Sequence, residues 1–252
     1  MANRLRLKSA LMALLATVSM AGAATEMPPV QQAATGPALQ PYWASYKVLR
    51  GKKKVGVSKV ELTADTDGLF VYRTKVSARG LARLFVRRDI TGESHFTLEN
   101  NLPFPLSYHS TGAKKGDTQS IVFDPSNNEI SSEYKGTEKT LPWSPGVLDL
   151  LSMEIAMQLQ FSRGEVPTEY TLVEKNRIRD YHVEIEGTES IKTPFGEYET
   201  VRLWRQREGS DNHAVIWLAP DLNYLMIRFD KYKRGKKDFS ILLNNYQPRI
   251  AN

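Results

Sequence analysis

The 252-residue sequence predicts a mainly β protein: a strongly curved antiparallel sheet of about a dozen strands, forming a half-barrel or barrel, with one apolar helix at about residues 145–162 packed in or against its concave face. Three observations lead there. Apolar and polar residues alternate in short runs from Tyr42 onward, clusters of Gly, Pro, Asn and Asp separate the runs, and one longer stretch is apolar on every side. A hydrophobic content of 41% and a charged content of 25% suit a soluble globular chain.

The first segment reads as an address. Arg4, Arg6 and Lys8 precede an uncharged stretch from Ala10 to Ala21, and Ala21, Gly22 and Ala23 supply the small-x-small pattern read by a signal peptidase. Residues 1–23 are therefore expected to be a signal peptide cut between Ala23 and Ala24. The apolar stretch of about 12 residues falls short of the roughly 20 that span a bilayer. The expected location is the periplasm, with peripheral membrane contact at most. Pro28, Pro29, Pro37 and Pro41, set among Gln, Ala and Thr, make residues 24–41 a flexible arm before a single β domain at 42–247.

From there the period is two. Trp43 to Arg50, the turn at Gly51 and Lys52, and Val55 to Leu62 read as a hairpin, with a phase change at Ser58 and Lys59 that suggests a bulge. After Asp65, Asp67 and Gly68, the residues Phe70, Tyr72, Thr74 and Val76 share one face. Similar alternation marks 89–98, 106–110, 118–123 and 129–134, and returns at 170–173, 181–185, 197–204, 214–218, 224–231 and 239–246. Between the two groups lies the helix, with Ser144 as its expected cap, Pro145 in its first turn and Gly164 beyond its end. Its polar residues Asp149, Ser152, Glu154, Gln158 and Gln160 form no wide stripe, so it is expected to be enclosed on more than one side. Core packing explains such a helix. Alternatively Met153 and Met157 line an apolar ligand cavity, for which flexible thioethers are suited.

Catalytic signatures are not found. His95, His109, His182 and His213 have no metal-ligand spacing, and no nucleophile elbow, phosphate loop or dinucleotide fingerprint occurs, so no cofactor is expected. With no Cys, disulfides, thiolate catalysis, Cys-zinc sites and lipidation at Cys are excluded. The 34 basic and 28 acidic residues become 31 and 28 once Arg4, Arg6 and Lys8 are removed, too even a balance for a nucleic-acid binder. The densest charge run is Arg73, Lys75, Arg79, Arg83, Arg87 and Arg88, which brackets Leu81, Ala82, Leu84 and Phe85. Such a run commonly forms a solvated face. It also suits anionic lipid headgroups, since Arg binds phosphate bidentately while apolar neighbours dip among acyl chains. Trp143, in the run Leu141, Pro142, Trp143, Ser144, Pro145, sits where it would form a lip over a cavity.

Several stretches together resemble the bacterial exported domain-of-unknown-function family numbered 3108. They are Tyr46 to Gly56, Gly80 to Arg83, Pro145 to Asp149, Thr193 to Val201 and Trp217 to Asp221, and the likeness runs over about residues 42–245. The resemblance implies a curved antiparallel sheet similar to the half-barrels of the periplasmic lipoprotein carriers LolA and LolB. It brings no catalytic residues with it. The expected function is non-catalytic binding of an apolar or amphipathic envelope component such as lipid or lipoprotein, with Trp143, Leu150, Met153 and Met157 on acyl chains and Arg79 and Arg83 on a phosphate or carboxylate. The alternatives are an envelope scaffold that binds a protein partner, and a glycan or peptide hydrolase in which His182 or Asp221 would meet a second titratable group.

Overall fold

The computed structural model describes residues 39–84, 86 and 88–249; the expected leader with its Ala23 and Ala24 cleavage point, most of the arm, Phe85 and Arg87 lie outside them. The arm ends earlier than its composition suggests, because Leu39 is buried in the core and Pro41 accepts a hydrogen bond from Arg249.

The strands are β1 (Tyr42–Arg50), β2 (Lys53–Ala64), β3 (Phe70–Ala78), β4 (Ile90–Glu99), β5 (Leu102–Thr111), β6 (Thr118–Asp124), β7 (Glu129–Tyr134), β8 (Thr137–Pro142) and β9 (Val147–Leu148). Helix α1 (Leu150–Ser162) follows, then β10 (Glu169–Val173), β11 (Ile178–Thr193), β12 (Gly196–Arg207), β13 (His213–Ala219), β14 (Leu225–Lys233) and β15 (Lys236–Pro248). All fifteen belong to one sheet, in which β1 to β8 run outward as neighbours on one side and β15 back to β9 on the other, joined where β1 pairs with β15. Every pairing is antiparallel except that of β9 with β10.

This order forces curvature. The sheet's two edges are β8 and β9, which only residues 143–146 separate in sequence. Fifteen strands spaced about 4.8 Å apart make a sheet roughly 67 Å across. The connecting segment reaches at most about 18 Å. The sheet therefore wraps until its edges nearly meet, without closing into a barrel, as the curved sheet predicted from the sequence requires. Side chains stitch the gap. At the turn between β10 and β11, Lys175 and Asn176 take the left-handed backbone (φ 51 and 59) that two-residue hairpin turns need. From there the buried Asn176 amide donates to the Thr137 carbonyl at 2.7 Å and accepts from Ser132 Oγ at 2.8 Å. The edges themselves are blunted: β8 exposes Glu138 and Lys139, and β9 has two residues.

Two local expectations change. In β2, Gly56, Ser58, Val60 and Leu62 all face inward, so Ser58 is a buried polar residue and no bulge lies there. The register shift against β1 falls between Val48 and Leu49 and makes Val55 the extra residue, leaving Val55 and Val57 on the outer face. The helix starts at Leu150 rather than near 145, because Ser144 and Gly146 shape a turn and Val147 and Leu148 pair as β9.

Asp149 caps that helix. Its Oδ1 accepts from the Leu151 and Ser152 amides at 2.8 and 3.0 Å, while Ser152 Oγ accepts from the Asp149 amide at 2.9 Å. Its Oδ2 accepts from Ser94 Oγ on β4 at 2.7 Å, with both residues fully buried. Burial pushes the Asp149 carboxyl upward against these hydrogen bonds. The helix then runs inside the curve. Leu151, Ile155 and Leu159 join Val60, Leu62, Phe96, Ile121 and Ile130, while Met153, Ala156, Met157 and Phe161 join Leu172, Val183, Leu203, Ile216 and Leu218. Asp149→Ala removes the cap and orphans Ser94, and should cost about 3 kcal/mol in urea unfolding. Asp149→Asn, still able to cap, should lose markedly less. Equal losses for the two variants would refute a capping role.

Candidate functional site

Antiparallel order sends successive turns to opposite ends of the strands, and here it sorts charge. The turns after β1, β3, β5, β7, β10, β12 and β14 share one end. They carry Lys52, Arg79, Arg83, Arg88, Lys114, Lys115, Lys135, Lys175, Arg177 and Arg234 against Asp89, Asp117, Glu174, Glu208 and Asp211. The turns at the other end, with the exit from α1, carry Asp65, Asp67, Glu165 and Asp221 against Arg163. Arg249, which follows β15 at that second end, pairs with Glu61.

The most apolar turn of the basic end is Gly80–Leu84, a short 3-10 helix that Gly80 enters with φ 55. It is held on β2 by a bond from the Arg79 amide to the Val55 carbonyl at 2.9 Å. Leu81 is 80% exposed and Leu84 67%, the two most exposed large apolar side chains among the described residues. An open groove of about 580 Å³ runs beside Leu81, bounded also by Lys53, Lys54, Val55, Val57 and Arg79. The two predicted arginines differ in state. Arg83 Nη1 lies 2.7 Å from Asp89, whose carboxyl Arg83, Lys75 and Ser77 together hold down to about 2. Arg79 is exposed and makes no ion pair among the described residues. An exposed apolar pair ringed by cations can meet a surface that is both anionic and oily.

The interior differs from the predicted cavity. Met153 and Met157 are 0% and 2% exposed, and the space they border with Tyr42, Tyr46, Tyr72, Glu154 and Arg205 is about 20 Å³. That is room for about one water molecule. Acyl-chain contact at these two methionines therefore has no volume to occur in; they fill the core. Trp143 lies in the loop between the sheet edges, half-buried, its ring edge-on to Phe104 at 6.2 Å, and is no lip over a cavity. Leu150 is 41% exposed at the start of α1. The predicted residues thus separate: Arg79 and Arg83 lie outside, Met153 and Met157 inside.

What the interior does hold is polar. Tyr72 donates to Glu154 Oε2 at 3.4 Å, and burial pushes the Glu154 carboxyl up to about 7 against the pull of Arg205 and Tyr72. Burial likewise raises the hydroxyls of Tyr42, Tyr46 and Tyr72. Arg205 was not singled out in the sequence, although Val201, Leu203 and Arg205 share the inward parity of β12. His182 and Asp221 are exposed, and neither forms a hydrogen bond or ion pair with a titratable side chain among the described residues. His213 is stacked between Trp204 and Tyr232, with ring centroids at 6.0 and 4.6 Å.

A family model described as a protein of unknown function, DUF3108, matches residues 42–234. No curated protein matches the sequence. Among solved structures, a β-barrel-like protein of the domain-of-unknown-function family DUF1849 from Brucella abortus aligns with a TM-score of 0.53 at 9% identity, covering 84% of this chain and 99% of that one. This likeness is one of fold. A protein from Bacteroides fragilis described as exported, with a YmcC-like fold, gives 0.41 at 10% identity, covering 84% of this chain and 97% of the other. A protein from Parabacteroides distasonis described as a lipoprotein gives 0.34 at 10% identity, with the same coverage of 84% and 97%.

The Glu154 environment gives a signed pH dependence. The folded chain keeps a proton at Glu154 up to about pH 7, whereas the unfolded chain releases it near 4.5. The resulting stability is fully present below about pH 4.5 and is lost as pH rises through about 7. Glu154→Gln should flatten this decline in thermal unfolding compared between about pH 5 and about pH 8. An unchanged slope would show that Glu154 titrates alike in the folded and unfolded chain.

Proposed function

The chain belongs to the DUF3108 family, whose function is unknown, and from that premise we propose that it is an exported envelope protein that docks without catalysis onto an anionic lipid layer through the Gly80–Leu84 end of its strands. The observation that carries this reading is the coincidence of two asymmetries. The cationic turns gather at one end, and the two most exposed leucines stand at that same end. Charge alone would give a solvated face, and exposed leucines alone a self-association patch. Together they match an interface of phosphate headgroups over acyl chains, where each Lys or Arg near the surface contributes about 1 kcal/mol and each inserted Leu about 1.5 kcal/mol or more. The leader expected at residues 1–23, with Arg4, Arg6 and Lys8 and an expected cut between Ala23 and Ala24, agrees with export to the compartment where such a layer is met.

Co-sedimentation with vesicles tests it. The exported chain should bind phosphatidylglycerol-rich vesicles, lose affinity steeply between about 50 and about 200 mM salt, and ignore phosphatidylcholine. Joint replacement Leu81→Ser and Leu84→Ser should weaken binding roughly 10- to 100-fold, with Arg79→Glu also weakening it and all variants melting like the parent. Equal binding to neutral vesicles, or full binding by the leucine variant, would reject the reading.

A further inference from the structure

We propose that the pocket beside the Gly80–Leu84 turn, on the outer face of β2 and β3, takes a dianionic phosphate, either the monoester of a headgroup or the free ion, on Lys59, Lys75, Arg79 and Arg83. This deepens the docking reading and rests on it for a lipid source, since it says which anionic group that end of the strands selects.

The space is there. An open pocket of about 460 Å³ lies where the outer face of β2 and β3 meets the turn, and all four cations line it together with Ser77 and Asp89. That volume falls within the roughly 300–1,000 Å³ of small-molecule sites. A phosphate group alone fills only part of it, which leaves room for the glycerol or sugar that carries one.

Register gathers the charge. Lys59 on β2 is the direct partner of Lys75 on β3, beside the pair Val57 and Ser77 on the same outward face. Like charges directly opposite one another weaken a sheet, and both lysines are exposed, so burial does not account for the pair. Arg79 closes the other end of the pocket, where its amide bonds the Val55 carbonyl at 2.9 Å. Val55 lies four residues before Lys59, about 13 Å along the strand. Both long side chains border the space between.

One acid serves four cations. Asp89 gives one oxygen to Arg83 at 2.7 Å and the other to Lys75 at 3.1 Å, which fixes both side chains at the pocket wall. Glu61 and Glu93, the next acids on this face, pair with Arg249 and Arg73. Lys59 and Arg79 make no ion pair among the described residues. Two charges are thus unanswered. A phosphodiester, with one negative charge, answers one of them, whereas a monoester with about two answers both. The fork of Arg79 suits two phosphate oxygens and the point charge of Lys59 a third, with the remaining donors of Lys75 and Arg83 alongside.

Calorimetric titration of the exported chain at about pH 7.5, where a monoester holds about two charges, tests this. The ligands are glycerol 3-phosphate, inorganic phosphate and the diester glycerophosphoglycerol, each against chloride of equal ionic strength. The two dianions should bind saturably at millimolar concentration and the diester roughly tenfold more weakly. Tighter binding of glycerol 3-phosphate identifies a headgroup as the source, and equal or tighter binding of inorganic phosphate identifies the free ion. Lys59→Gln should weaken binding roughly tenfold while the ligand-free chain melts at an equal or higher temperature, because a like-charge pair is removed. Arg79→Gln should weaken binding likewise. None of these ligands carries an acyl chain, so the outcome is independent of Leu81 and Leu84. Absence of saturable binding by both dianions, equal binding of the diester, or unchanged binding in Lys59→Gln would overturn the proposal, whatever the vesicle experiment shows.

Discussion

Four residues between the two edges of a fifteen-strand sheet set the shape of this protein. The sheet cannot lie flat while residues 143–146 tether its far strands, and a wrapped sheet needs a filling. The filling is the next element in sequence, α1, which enters the curve as soon as the short strand β9 ends. Asp149 converts that succession into a fixed geometry, because one carboxylate both ends the extended chain and grips β4 through Ser94. The two apolar clusters on opposite sides of the helix follow from this placement.

Period and turn chemistry carry most of the fold in the sequence. Strand β7 falls at the predicted 129–134, and the helix end near Gly164 is found where its left-handed backbone (φ 75) stops α1. The failures have local causes. Strand β8, with Thr137, Glu138, Lys139 and Thr140, is an exposed edge with no buried face, so it shows no alternation. Ser144 followed by Pro145 imitates a helix start, while the effective cap is a buried aspartate that reads as one polar residue within an apolar run. Asn176 gives a turn signal, but its reach across the gap depends on tertiary closure.

The candidate surface was half legible. Arg79, Arg83 and the leucines between them stand out as a run, and the structure keeps them together. The wider charge sorting is also written in the sequence, since alternate turns of an antiparallel meander share an end. It becomes visible only once the direction of each strand is assigned, because miscounting a single strand swaps the end of every later turn. That Arg205 and Lys231 face the same side of the sheet cannot be read without register. They are 26 residues apart, and Ala214 brings them to one row.

The stitched gap has a mechanical consequence. Parting β1 from β15 means breaking a whole ladder, from Tyr42 with Pro248 to Leu49 with Ser240. Parting the β8 side from the hairpin that bears Asn176 breaks two hydrogen bonds at this clasp, each worth about 1 kcal/mol. The molecule is thus weakest along one lengthwise slit, like a coat with a single hook. Opening that slit would bare the buried side of the helix while the ladders between the other strands stay unbroken.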